Sequence, residues 1–255
     1  MNDAEIPLAG GSVTKVVRVG DTVRRTVGPW TPGVHALLYH LERKGFNGSP
    51  RVLGIDQHGR EILSYISGTA ASRPWPRSLC EDTGIEAFAH LLRQYHRAVA
   101  DFIPPNDTVW RTGNTRRSSD QIIRHGDLGP WNSIWREGVP VAFIDWDFAE
   151  PGDAIDDVAQ ACWYAIPLRG DDGAREAGFD PLPDYRSRLT VFCRAYGGVE
   201  PDEVLHALVG IQIADRSRLI DLGGRGHEPW ASFLKRGDLE QLDSEIRWLA
   251  QHGGG

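Results

Sequence analysis

Cysteine is scarce and badly placed for scaffolding. Cys80, Cys162 and Cys193 are odd in number, far apart, and form no C-x-x-C pair. That spacing excludes a disulfide framework and a thiolate zinc site, and each thiol reads as a small buried hydrophobe. Basic charge is not in surplus either: 28 Lys and Arg stand against 35 Asp and Glu, a net charge of −7. A partner of dense negative charge needs a basic surface, so the balance argues against nucleic acid. Long apolar runs are missing. Nothing could span a bilayer, and the opening MNDAEIPLAGG has neither the basic start nor the apolar stretch of a signal peptide. A chain with no membrane partner and a cytoplasmic location is expected. No internal repeat or low-complexity tract occurs. What remains is ordinary for a globular protein, with 40% hydrophobic and 25% charged residues over 255 positions. That length suits one large domain or two lobes sharing a cleft, as a monomer or weak homodimer.

The first part of the chain reads as β-rich. Ser12 to Val19 is extended and β-branched, Gly20-Asp21 turns, and Thr22 to Val27 returns as a hairpin. Val34, Leu37, Leu38 and Leu41 recur at helical spacing up to Lys44, with Gly45 as the stop. Short strands are expected at 51–56 and 61–66, and 69–77, with Pro74 and Pro76, reads as a linker. Beyond it the character becomes helical. Helices are expected at 85–102, 154–164, 184–195, 202–222 and 230–251, with strands at 122–123 and 141–144. The fold class is α+β: a small antiparallel β lobe, residues 1–67, and a larger mainly helical lobe, residues 68–255. A cleft at such a joint is where ligands bind.

The chemistry is concentrated between Arg124 and Asp157. His125-Gly126-Asp127 is followed after four residues by Asn132, and the apolar Val141 to Ile144 runs straight into Asp145-Trp146-Asp147. Phosphoryl transfer needs a carboxylate to take a hydroxyl proton, and oxygen ligands to hold magnesium against the phosphates. Asp and Asn five positions apart on one loop, with a second Asp at a strand end, can supply both. Gly126 and Gly129 let the loop turn tightly. A metal-dependent hydrolase would require further histidine ligands, and His90, His96 and His206 lack a paired ligand spacing.

This segment resembles the aminoglycoside phosphotransferase and choline kinase family, which has a protein-kinase-like fold. The resemblance rests on the H-x-D-x-x-x-x-N loop (His125, Asp127, Asn132), on Ile144-Asp145-Trp146-Asp147, and on Pro151-Gly152-Asp153 leading into a helix with Asp156-Asp157. It implies a bilobal ATP- or GTP-dependent O-phosphotransferase, with Asp127 as base, Asn132 and Asp145 as magnesium ligands, and His125 orienting the loop. Asp147 is a candidate for the metal or for the acceptor pocket.

The nucleotide half departs from the family pattern. Where the family has a lysine on the third strand, this chain reads Thr22-Val23-Arg24-Arg25, and Val34-His35 falls near the place of the family's glutamate. Arg25, which shares a strand face with Val23, is the first candidate for the phosphate contact, and Arg24 the second. Gly10-Gly11 is the candidate turn over the phosphates. Leu63 to Gly68 resembles the family's hinge, where backbone groups of Ser64 and Ile66 would meet the purine. From Glu137 to Leu168 there are carboxylates but no Lys or Arg. Asp147, Glu150 and Asp157 are therefore candidates to line an acidic pocket for a cationic acceptor, with Trp131, Trp135, Trp146 and Trp163 as candidate walls. The expected acceptor is a small hydroxyl compound, an aminoglycoside-like antibiotic or another metabolite. A protein kinase is disfavoured because no activation segment follows Asp145. The alternative is a kinase-like immunity protein, catalytically weak, that sequesters its ligand.

Overall fold

The computed structural model describes residues 4–8, 16–114 and 118–253. A five-stranded antiparallel sheet opens the fold, from β1 (Ile6–Pro7), β2 (Val16–Val19), β3 (Thr22–Thr26), β4 (Val52–Ile55) and β5 (Arg60–Ser64), in the order β1-β2-β3-β5-β4. The hairpin between β2 and β3 turns at Gly20, whose φ of 58° lies in the left-handed region. Helix α1 (Thr31–Arg43) begins on Pro32 and buries Val34, Leu37, Leu38 and Leu41 as one stripe. Left-handed Gly45 ends it, and the Phe46 N–H returns to the Leu41 carbonyl at 2.9 Å.

The larger part is helical, with a polar loop clamped by two small sheets. After the single turn α2 (Arg77–Cys80), helix α3 (Asp82–Val99) runs through the core and buries Ile85, Phe88, Ala89, Leu92, Tyr95 and Val99. Strand β7 (Ile122–Arg124) pairs with β10 (Glu150–Gly152), placing Arg124 opposite Glu150. Strand β8 (Ser133–Arg136) joins β6 (Thr69–Ala70) to β9 (Val139–Phe143). The loop 125–132 is thus fixed at both ends. Helices α4 (Ala154–Ala165), α5 (Asp171–Glu176), α6 (Tyr185–Tyr196), α7 (Pro201–Gly224), α8 (Trp230–Arg236) and α9 (Asp238–His252) complete the lobe. Helix α7 starts on Pro201 with a reciprocal cap between Glu200 and Glu203.

Two expectations need correction. The stretch 69–77 is not purely a linker, since β6 lies within it and pairs with β8. The single helix expected at 230–251 is two helices, because Gly237 adopts φ 93° and reverses the chain between α8 and α9. Among the described residues no helix is long and apolar enough to cross a membrane.

Candidate active site

The loop between β7 and β8 carries the proposed base, and α4 holds it from behind. Asp157 accepts the backbone N–H groups of His125 at 2.7 Å and Gly126 at 3.1 Å. Gln160, one turn further on, accepts from the Leu128 N–H at 2.8 Å and donates to the Gly126 carbonyl at 3.2 Å. Gly126 is required: its φ is 77°, and a Cβ there would lie 2.1 Å from the Phe148 carbonyl oxygen. His125 is fully buried against Trp146, with Nε2 3.1 Å from the Ile144 carbonyl and Nδ1 accepting the Asp127 N–H at 3.3 Å. Burial lowers its pKa, so a neutral ring spans the loop and the end of β9.

Asn132 donates its side-chain amide to Asp127 twice, to the carbonyl at 2.9 Å and to the carboxylate at 2.8 Å. Burial pushes the Asp127 carboxyl up to about 7, with a contribution from the charge of Asp145 and partial opposition from Asn132. A base poised near neutrality suits proton abstraction at physiological pH. Asp145 follows β9 in a left-handed conformation, φ 59°, that non-glycine residues rarely take. Its side chain is 46% exposed, whereas Asp147 is buried.

Arg25 reaches this pair from β3. Its guanidinium donates to Glu61, to Asp145 at 2.9 Å, and to Asp147. Burial alone would lower its pKa, but the charges of Asp147, Asp145 and Glu61 outweigh that and raise it. Glu61 stands opposite Arg25 in the β3–β5 register and also meets His35 Nε2 of α1 at 2.7 Å. An arginine–glutamate pair therefore exists, but its glutamate comes from a strand, with His35 contributed by the helix. Arg111 adds a second cation, 3.2 Å from Asp147 and layered between the rings of Trp30 and Phe148. None of Glu61, Arg111 or Trp30 was singled out from sequence. The cross-strand charge match of Arg25 and Glu61 was the available signal for the first, and nothing local marked the other two.

Several expected site residues lie elsewhere. Arg24 is on the opposite strand face, beside Thr22 and 3.9 Å from Asp56. Glu150 is 1% exposed and saturated by Arg124, Arg218 and Thr112. Asp157 is fully buried and spent on the loop and on His96 at 3.2 Å. Both carboxylates are buried and bonded within the protein, so the expected acidic wall is not built from them. The Ser64 N–H is committed to the Arg51 carbonyl at 2.9 Å, which leaves its carbonyl for any purine contact. Ile66 follows in the half-buried connection to β6. Gly10 and Gly11 lie outside the described residues. Trp135 and Trp146 belong to the core.

A cavity of about 540 Å³ opens beside Asp127, with Trp131, Phe148, Trp163, Tyr164 and Trp230 among its walls. Its charge is mixed: Asp215 and Glu245 line it, as do Arg73, Arg169, Arg218 and Arg236. Among the described residues no three His, Cys, Asp or Glu side chains gather into a metal site. The Asn132 amide oxygen and the Asp145 carboxylate nevertheless fit magnesium, which uses one or two protein ligands and completes its shell with phosphates and water.

The fold is that of the protein-kinase-like phosphotransferases. A choline/ethanolamine kinase family protein from Mesorhizobium loti superposes with a TM-score of 0.61 at 15% identity, over 97% of this chain and 91% of that one. Amicoumacin kinase in complex with AMP-PNP and Ca²⁺ also gives 0.61, at 12% identity, over 94% and 88% of the two chains. The chain belongs to the phosphotransferase enzyme family, whose model matches residues 106–189. The chain is also similar to the trifolitoxin immunity protein of Rhizobium leguminosarum bv. trifolii, 40% identical over 201 residues, which cover 77% of this chain and 75% of that protein.

Proposed function

We propose that the chain is an ATP- or GTP-dependent O-phosphotransferase that protects its cell by phosphorylating a toxic hydroxylated small molecule. One observation carries the reading: Asp127, bonded to Asn132 and influenced by Asp145, sits on the wall of an open cavity large enough for an acceptor. Residues 1–67 hold the nucleotide, with Ile66 and the Ser64 carbonyl facing the base. Residues 68–255 hold the acceptor. Asp127 takes the proton of the acceptor hydroxyl as the hydroxyl oxygen attacks the terminal phosphorus, and the bridging P–O bond breaks to release the nucleoside diphosphate. Arg25, anchored through Glu61, exchanges Asp145 for triphosphate oxygens. Asn132 and Asp145 would hold magnesium, which neutralises the phosphate charge when bound with the nucleotide. Similarity to an immunity protein supports a toxic acceptor.

A second reading is favoured by Arg25, which already neutralises Asp145 and Asp147 without a metal. On that reading the protein gives immunity by sequestering the toxin. Transfer of labelled phosphate from magnesium ATP or GTP to candidate antibiotics, measured with wild type and Asp127→Ala, separates the two. The phosphotransferase reading expects a loss of about 10²–10⁴-fold in turnover with nucleotide binding retained. Equal protection of sensitive cells by both proteins would sink it and leave sequestration.

A further inference from the structure

The cavity beside Asp127 combines an aromatic wall with four arginines, set against four carboxylates of which one is the base. Trp131 packs edge-on against Tyr164 at 4.7 Å, and Tyr164 stacks on Trp163 at 4.8 Å. Trp131 stands in the loop between Asp127 and Asn132 and lines the cavity with Asp127, so the wall ends beside the base. Arg73 lies 5.7 Å from the Trp131 ring centre, and Arg169 lies 5.1 Å from that of Tyr164.

The carboxylates of this cavity are largely engaged. Glu245 accepts from Arg169 at 2.9 Å, from the Trp163 indole at 2.8 Å and from the Gln241 amide at 3.0 Å. Asp238 is held twice by Arg236, at 2.8 and 2.5 Å. Asp215 has Arg218 at 3.5 Å. Arg73 is the loosely held member: its ion pair with Glu176 is 3.8 Å long, and that glutamate is 58% exposed. Burial and the like charge of Arg169 lower the Arg73 pKa, against the weaker opposing charges of Glu176 and Glu245. A polycationic acceptor would meet four arginines here and, besides the base, one loosely engaged carboxylate, Asp215.

We infer that the acceptor is a hydroxyl compound carrying a carboxylate beside a planar ring, the carboxylate held by Arg73 and Arg169 and the ring laid on Trp131 and Tyr164. Guanidinium forks bind carboxylates bidentately, and aromatic rings stack on such walls. The inference rests on Asp127 being the base of a phosphotransferase, and it reverses the cationic acceptor expected from sequence.

Quenching of intrinsic tryptophan fluorescence by para-(hydroxymethyl)benzoate, para-(hydroxymethyl)benzylamine and kanamycin tests it, since Trp131 and Trp163 line the site. The benzoate is expected to quench saturably at millimolar concentration, and the two amines not to. Arg73→Gln should weaken the benzoate about tenfold, the loss of roughly one charge-assisted contact, with Arg73→Lys intermediate and both variants melting as wild type does. Equal or stronger binding of either amine, no binding of the benzoate, or a benzoate affinity unmoved by Arg73→Gln would overturn the inference. Phosphate transfer on the same probes distinguishes the two failures. A benzoate that binds but is never phosphorylated counts against the phosphotransferase and leaves the pocket assignment standing. Kanamycin phosphorylated in preference does the reverse.

Discussion

Glu61 is completely buried, and its two oxygens serve Arg25 and His35. Glu61→Gln keeps the shape but removes the charge that Arg25 was buried against. Breaking one side of a buried ion pair costs about 3–5 kcal/mol, here lessened because Asp145 and Asp147 still face the guanidinium. A urea midpoint shift equivalent to about 2–3 kcal/mol is expected. In nucleotide kinetics KM should rise more than kcat falls, because Arg25 loses its anchor on the sheet. The segment proposed to be catalytic could be picked out at this scale by the spacing of Asp127, Asn132 and Asp145, and the structure places Asn132 on Asp127 and Arg25 on Asp145. Glu61 was missed because a helix was expected to supply the partner, whereas pairing across β3 and β5 supplies it. Glu150 and Asp157 were misjudged because sequence gives charge but not burial.

At the scale of elements, the loop 125–132 is shaped by what lies behind it. A methyl group at Gly126 would run into the Phe148 carbonyl and would also have to tolerate φ 77°. Gly126→Ala should therefore lower stability by about 1–3 kcal/mol and displace Asp127 enough to lose most turnover. Thermal melting and initial rates on the same preparation check both. The long helices were readable from their apolar periodicity, as α1 and α3 illustrate. Strands β6, β8 and β10 were not, because two to four residues such as Ser133–Arg136 carry too little pattern to be distinguished from a loop. The break at Gly237 was hidden for a different reason: apolar spacing continues through it from α8 into α9.

For the whole molecule, acid sensitivity follows from two buried carboxylates. Burial alone would raise the pKa of Asp157, but hydrogen bonding and charge from His96, together with Arg124, hold it below the ordinary value; His35 and Arg25 do the same for Glu61. A carboxylate depressed in the folded state stabilises fully above its unfolded pKa of roughly 4, and that contribution is lost as pH falls through the lower folded value. Stability should thus decline below about pH 4. Asp157→Asn should cost about 3 kcal/mol at neutral pH and flatten the acid limb, as read by urea titration across pH. The bridge from Arg25 to Asp145 and Asp147 has a consequence for loading order. Free magnesium meets carboxylates already satisfied by an internal cation, so neither added metal nor a chelator should move the melting temperature of the ligand-free protein. Magnesium together with nucleotide should raise it, because the phosphates give the guanidinium somewhere else to go. At a hundredfold excess over Kd the gain is about 2.7 kcal/mol. A protein built this way would recognise the metal only as part of its nucleotide complex, with its own arginine holding the metal's place until then.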